Sequence, residues 1–162
     1  SIELYLNGKK IGNKKVKEYK SLFKVKYKFG TLKAIAYDKA KHKISESCLT
    51  TGKSVTLNVK TSKTKLKTGE LAFIHIKFVD ENGNIVPYIE QQVDLQLIGE
   101  SVYLQGFGSA QVKTDETYNT PYHRSFRGSL LAIIRAGDVK GQTRVLIKTK
   151  NHITQEIMME VE

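Results

Sequence analysis

Tryptophan is absent from this 162-residue chain, cysteine occurs once and proline twice. Without tryptophan, the largest aromatic faces on which sugar rings stack are missing, which counts against a carbohydrate-binding module. A lone cysteine excludes an intrachain disulfide, and with it a disulfide-stapled secreted scaffold, but leaves the periplasm open. Cys48 lies between Ser47 and Leu49 in alternating sequence and reads as a small core residue, not a nucleophile. No apolar run approaches the roughly 20 residues that cross a bilayer. The longest, Leu130–Ile134, reads as a buried strand. No signal peptide is visible and the first residue is Ser1, so the chain is expected to be a processed or excised piece of a longer product.

Acidic residues are scarce in one half only. Residues 1–61 hold 15 Lys and no Arg against 4 acids, a net charge of +11, whereas residues 62–162 hold 12 basic and 12 acidic residues. Such a break marks a boundary between units. It also raises the question of nucleic acid. Base readout favours Arg, and single-strand binders place aromatics on the same face as their cations. Arg is missing from this half, and in Phe23–Phe29 the aromatics alternate with Lys24, Lys26 and Lys28. The lysines therefore read as the solvated side of a strand, which also discourages edge-to-edge aggregation, and no specific nucleic-acid partner is expected. Charge alone predicts only weak, salt-sensitive adhesion to polyanions.

What is present is period-2 alternation. Phe23, Val25, Tyr27 and Phe29 fall on one face of a predicted strand. Leu4 and Leu6 alternate before Asn7-Gly8, a strong hairpin signal. Thr31–Asp38, Ser54–Lys60, Leu71–Asp80, Gln92–Gly99, Ser125–Ala136, Thr143–Lys150 and Ile153–Val161 continue the pattern, and no segment keeps a helical stripe. The fold class is all-β, two Ig-like antiparallel sandwiches joined through the polar stretch Lys60–Glu70. The domains are expected at 1–61 and 62–162. The first is small for a sandwich, so one or two of its strands are expected to be missing from its N-terminal side or supplied by a neighbour.

Chemical motifs are wanting. The four histidines keep no metal-ligand spacing: His42 and His123 sit in turn-like sequence, His75 on the outer side of a strand, and His152 in a turn after Asn151. No catalytic elbow or phosphate loop occurs, and Gly106–Ala110 reads as a tight turn. Asp80 with Glu81 and Asp115 with Glu116 are adjacent loop acids, expected to be solvated; a glycosidase needs two carboxyls facing across a cleft. No cofactor or metal is expected. The long loop Lys113–Phe126 is less ordinary. It holds Tyr118, Tyr122, His123 and Arg124, and three readings stand: a loop folded over its own sandwich, a contact with another domain, or contact with a sugar through Tyr118, Tyr122 and Arg124.

The ordered set "SIELYLNGKKIGNKKV", "FKVKYKFGTLKAIAYD", "LAFIHIKFVDENGNIVP" and "YHRSFRGSLLAIIRA" resembles the C-terminal accessory domains of bacterial glycoside hydrolase family 2 enzymes of the β-galactosidase-like group. The resemblance covers nearly the whole chain. It implies a small Ig-like domain followed by a second one, a role in carbohydrate degradation, and packing against the parent enzyme's catalytic barrel. The family's two catalytic glutamates belong to that barrel of about 250 residues, and no residue here matches either. A periplasmic or extracellular location is implied as well. An adhesin-type or carbohydrate-binding Ig-like module is the competing expectation.

Overall fold

The structure, a computed structural model, describes residues 1–52, 54–150 and 154–162. The expected turn at Asn151–His152 and the start of the last strand at Ile153 lie outside the described residues. Thirteen strands and no helix occur among those described. The chain divides into two compact units, Ser1–Ser54 and Val55–Glu162.

The first unit is one antiparallel sheet of β1 (Ile2–Leu6), β2 (Lys9–Lys14), β3 (Gly30–Tyr37) and β4 (Lys43–Thr51), in the order β2-β1-β3-β4. Asn7 and Gly8, with φ of 49° and 78°, make the expected tight turn between β1 and β2; both need the left-handed region that Asn and Gly tolerate. Register sorts the side chains. Ile2 pairs with Ala36, Leu4 with Ala34, Leu6 with Leu32, and Leu32 with Leu49, so these share an apolar face. The other face is polar: the Tyr5 hydroxyl donates to Glu3, Lys10 bonds Glu3, and Lys33 and Lys43 flank Glu46. Leu4 and Ile35 are its buried apolar residues.

Two expectations are corrected here. Phe23–Phe29 is not a strand: the backbone from Ser21 to Phe29 carries no ladder. It crosses the apolar face instead, with the Phe23 ring where a β-carbon on Gly12 would stand, and Val25, Tyr27 and Phe29 are exposed. A strand is held by a ladder to a neighbour, and here side chains meet backbone carbonyls instead: Lys14 at Leu22 at 2.6 Å, the Thr51 hydroxyl at Lys28 at 3.4 Å and Asn7 at Phe29 at 3.0 Å. Cys48 is exposed, because β4 is an edge strand and Cys48 stands opposite Lys33 on the polar face. The unit is thus one layer where a sandwich has two, in keeping with the expected shortage of strands.

The second unit is a sandwich. One sheet holds β5 (Val55–Thr61), β7 (Leu71–Asp80), β11 (Ser129–Ala136) and β9 (Val102–Gly108) in the order β5-β7-β11-β9. The other holds β6 (Lys65–Leu66), β8 (Gln92–Ile98), β10 (Tyr122–Arg124), β12 (Gly141–Thr149) and β13 (Thr154–Val161) in the order β10-β8-β12-β13-β6. Alternation builds the core: Ala72, Ile74, Ile76 and Phe78 of β7 and Leu130, Ala132 and Ile134 of β11 face Val93, Leu95, Val145, Ile147 and Met159 of the other sheet. Each fully buried side chain of this size contributes about 1.5–3 kcal/mol relative to exposure.

The expected boundary near residue 61 falls earlier. Val55–Thr61 pairs along β7, from Val55 opposite Asp80 to Thr61 opposite Ile74, and so belongs to the second unit. Moving β5 to the second unit shifts a single Lys, Lys60, so the excess of positive charge stays with the first unit.

Candidate functional site

The outer face of the β5-β7-β11-β9 sheet carries an open groove of about 430 Å³. Strand register explains it. Leu131 and Ile133 of β11 turn outward beside His75 and Phe73 of β7, and opposite them on β9 stand Gly108 and Gly106. Two positions without side chains, next to two branched apolar ones, leave a trough with a greasy floor. Lys77 and His75 line it from the β7 side, and Ser109 and Tyr118 from the loop that follows β9. Gly106–Gly108 was expected in a tight turn; it is strand, and Phe107 between the glycines is buried.

The loop 109–121 folds back over β9. Phe107 N–H donates to the Tyr118 carbonyl at 2.7 Å, and the Tyr118 ring occupies the space a β-carbon on Gly108 would take. The ring stacks on His123, with centroids 5.8 Å apart and planes 6° from parallel. His123, expected in a turn, sits fully buried in β10, opposite Val93. Its Nδ1 lies 3.0 Å from the Arg124 carbonyl and 3.3 Å from Glu116 Oε2. A carbonyl only accepts, so Nδ1 carries the proton and Nε2 is left as a buried acceptor without a partner. The Glu116 carboxylate also accepts from Arg124 N–H at 3.1 Å. The Ser109 hydroxyl is the second buried polar atom here without a partner.

Tyr118, Tyr122 and Arg124 do not form one cluster. Tyr118 lines the groove, one side on His123 and Gly108, and remains half-exposed. Tyr122 and Arg124 flank inward-facing His123 on β10, so their side chains turn to the opposite, solvent side of that strand. The residues that shape the groove and were missed in the sequence are Gly106, Gly108, Ser109, Leu131 and Ile133. A Gly-x-Gly read in strand frame is the signal that points to them.

Asp80, Glu70, Glu116 and Glu162 of the second unit are tied to structure. Asp80, expected to be solvated, is buried and accepts from the N–H groups of Asn82 and Asn84, each at 2.9 Å. Glu70 accepts from Lys67 N–H and pairs with Lys63, which holds its carboxyl below the usual range, the backbone bond being the larger cause. Glu162 is likewise lowered by Lys65. Glu116 serves His123 and Arg124. Among the described residues, no group of three or more His, Cys, Asp or Glu could hold a metal ion. No helix is long and apolar enough to cross a membrane. The groove has an apolar floor, an aromatic wall and a cationic rim at Lys77.

Residues 55–158 match the family described as glycoside hydrolase family 2 C-terminal domain 5, and residues 1–45 match a domain of unknown function, DUF4982. The chain is 25% identical to Beta-galactosidase BoGH2A of Bacteroides ovatus, over 97% of this chain and 19% of that protein. Among solved structures it is similar to a glycosyl hydrolase family 2 member from Bacteroides cellulosilyticus, with a TM-score of 0.79 and 24% identity over 98% of this chain and 22% of that one. It is also similar to a beta-glycosidase from Bacteroides vulgatus, with a TM-score of 0.73 and 22% identity over 99% of this chain and 21% of that one. The chain thus spans about a fifth of the length of each.

Proposed function

Because the chain belongs to glycoside hydrolase family 2, through that family's C-terminal domain 5, we propose that it is a non-catalytic accessory segment of a β-galactosidase-type hydrolase. Its role in this reading is to pack against the catalytic barrel and extend the scaffold that carries it. The observation behind the reading is the family match over the second unit, where Asp80 is held by turn amides and Glu70 by the Lys67 amide and Lys63. In the same reading the groove beside Tyr118 takes an apolar contact from the neighbouring domain, with Leu131 and Ile133 as its floor. A periplasmic or extracellular location goes with it, on the resemblance alone.

The test is enzymatic and needs only this chain. Incubated with a chromogenic β-galactoside, it is expected to give no turnover above buffer; turnover would overturn the reading. The half-exposed Tyr118 ring at the groove favours one competitor, a carbohydrate contact. Calorimetric titration with galactosides separates the two: millimolar or tighter binding, abolished by Tyr118→Ala, would promote the sugar-binding alternative.

A further inference from the structure

Gly106 has no reason within its own sheet to be glycine. Its φ is not positive, so neither the strand nor the bulge beside it at Gln105 requires one. A β-carbon there would meet only the Tyr118 carbonyl, at an ordinary 3.7 Å, whereas one on Gly108 would collide with the Tyr118 ring. Glycine inside a strand weakens it, and often marks the close approach of another backbone. The space that Gly108 leaves is taken by Tyr118. The space that Gly106 leaves, beside Ile133, is taken by none of the described residues. Next to it the Ser109 hydroxyl is buried without a partner, and Phe73, opposite Ile133 on β7, is 38% exposed.

Charge on this face is one-sided as well. Lys60 and Lys77 border a second hollow of about 440 Å³, which shares His75 and Lys77 with the groove. Strands β5, β7, β9 and β11 contain one carboxylate, Asp80, and it closes a turn. Among the described residues neither Lys60 nor Lys77 is in an ion pair. On the opposite sheet the cations are answered: Lys65 by Glu160 and Glu162, Arg144 by Glu156, and Lys148 by Gln96.

We infer that the groove seats an extended segment of the neighbouring domain in which an apolar residue is followed, two positions on, by Asp or Glu. Residues two apart in an extended chain share a side and stand about 7 Å apart. The apolar side chain fills the space above Gly106, on the floor of Leu131 and Ile133. The carboxylate then points toward the adjoining hollow, where the long side chains of Lys60 and Lys77 reach it. Complementary charge of this kind selects the partner more than it adds affinity. An uncharged sugar would leave both lysines unanswered. The inference rests on the accessory reading, since that reading supplies the neighbouring domain.

The test supplies the segment in cis. Threonine–leucine–threonine–glutamate–threonine is fused after Glu162 through about 20 glycine and serine residues, a linker with an r.m.s. span of about 25 Å that sets a millimolar local concentration. Methyl resonances of Leu131 and Ile133 are compared with those of the unfused chain, with buried Ile76 and Ile147 as the folding control. Both groove signals are expected to shift with the glutamate segment, and to keep their unfused positions when lysine replaces the glutamate. In the double variant Lys60→Glu, Lys77→Glu the preference is expected to reverse. In Gly106→Val, whose side chain occupies the trough, fused and unfused chains are expected to coincide. No shift with the glutamate segment would overturn the inference, and so would equal shifts with both segments or a shift that survives Gly106→Val. Turnover of a β-galactoside by this chain would overturn the accessory reading alone, whereas indifference to charge in the fusions would overturn this inference alone.

Discussion

Asp80 closes the turn after β7 by itself. Its carboxylate accepts from two backbone N–H groups and from the Asn84 side-chain amide at 3.2 Å. Asp80→Ala leaves part-buried turn donors without their charged acceptor, and is expected to cost about 1–3 kcal/mol in urea unfolding. Asp80→Asn, which keeps one carbonyl oxygen, is expected to cost less. On the first unit, Tyr5 donates to Glu3 at 2.6 Å, which pushes its phenol pKa up to about 12. Glu3 is itself held low, first by Lys10 and then by Tyr5. The signs follow from linkage. Tyr5 is raised in the folded state, so its contribution is complete below its unfolded value near 10 and lost as pH rises toward about 12. Glu3 is lowered, so its contribution is present above its unfolded value near 4.5 and lost on acidification below it. An ultraviolet titration of Glu3→Gln is expected to show one tyrosine titrating at lower pH than in the parent chain. At this scale the sequence was legible where a residue acts through its own backbone, as in Asn7-Gly8. It was not legible where a distant strand decides burial: nothing adjacent to His123 announces that Tyr118 will cover it.

Strands β7 and β11 carry the element-scale argument, because they lie side by side in the middle of their sheet and every second residue is buried. Ile74→Ala is expected to destabilise the second unit by about 2–5 kcal/mol, read from the shift of its denaturation midpoint. The outward residues of the same strands, Leu131 and Ile133, should be far more tolerant in the isolated chain. Gly108 tests the loop instead of the core. A β-carbon there would stand 2.3 Å from the Tyr118 ring, so Gly108→Ala is expected to lift the loop 109–121 off β9. Limited proteolysis within that loop should then accelerate, while the transition of the core changes little. Period-2 alternation located β5, β7, β8, β11, β12 and β13, because alternation is what a two-layer core imposes, but not β6, β9 or β10. It failed at Phe23–Phe29 for a physical reason: alternation reports which sides of a strand differ, not whether a neighbouring strand exists. It also passed over Gly106–Gly108, where missing side chains left no pattern to read.

For the whole molecule, the two units are unequal in what holds them. The second has a contiguous core of fully buried residues from both sheets, whereas the first buries only Leu4 and Ile35 among its described apolar residues, one on each face of its sheet. Urea is therefore expected to unfold the chain in two steps, the first unit at lower concentration and with the smaller slope, since slope scales with the surface exposed. Residues 55–162 prepared alone should keep the upper midpoint; a single transition for the full chain, with loss of that midpoint on excision, would contradict this. Division into two units was legible in the charge, but its position was not, because β5 carries a single Lys and moves the balance by one charge whichever unit it joins. Family was legible from ordered motifs along the chain. No residue pattern spoke of a substrate, and the groove that offers a contact surface is made by register between strands far apart in sequence.

The chain's single sulfhydryl lies on the open rim of the smaller unit, on the edge strand β4 opposite Lys33. A dye coupled through maleimide chemistry would therefore mark one place only, with nothing to mask and no engineered handle. Its emission would report on the lysine-rich layer that carries it.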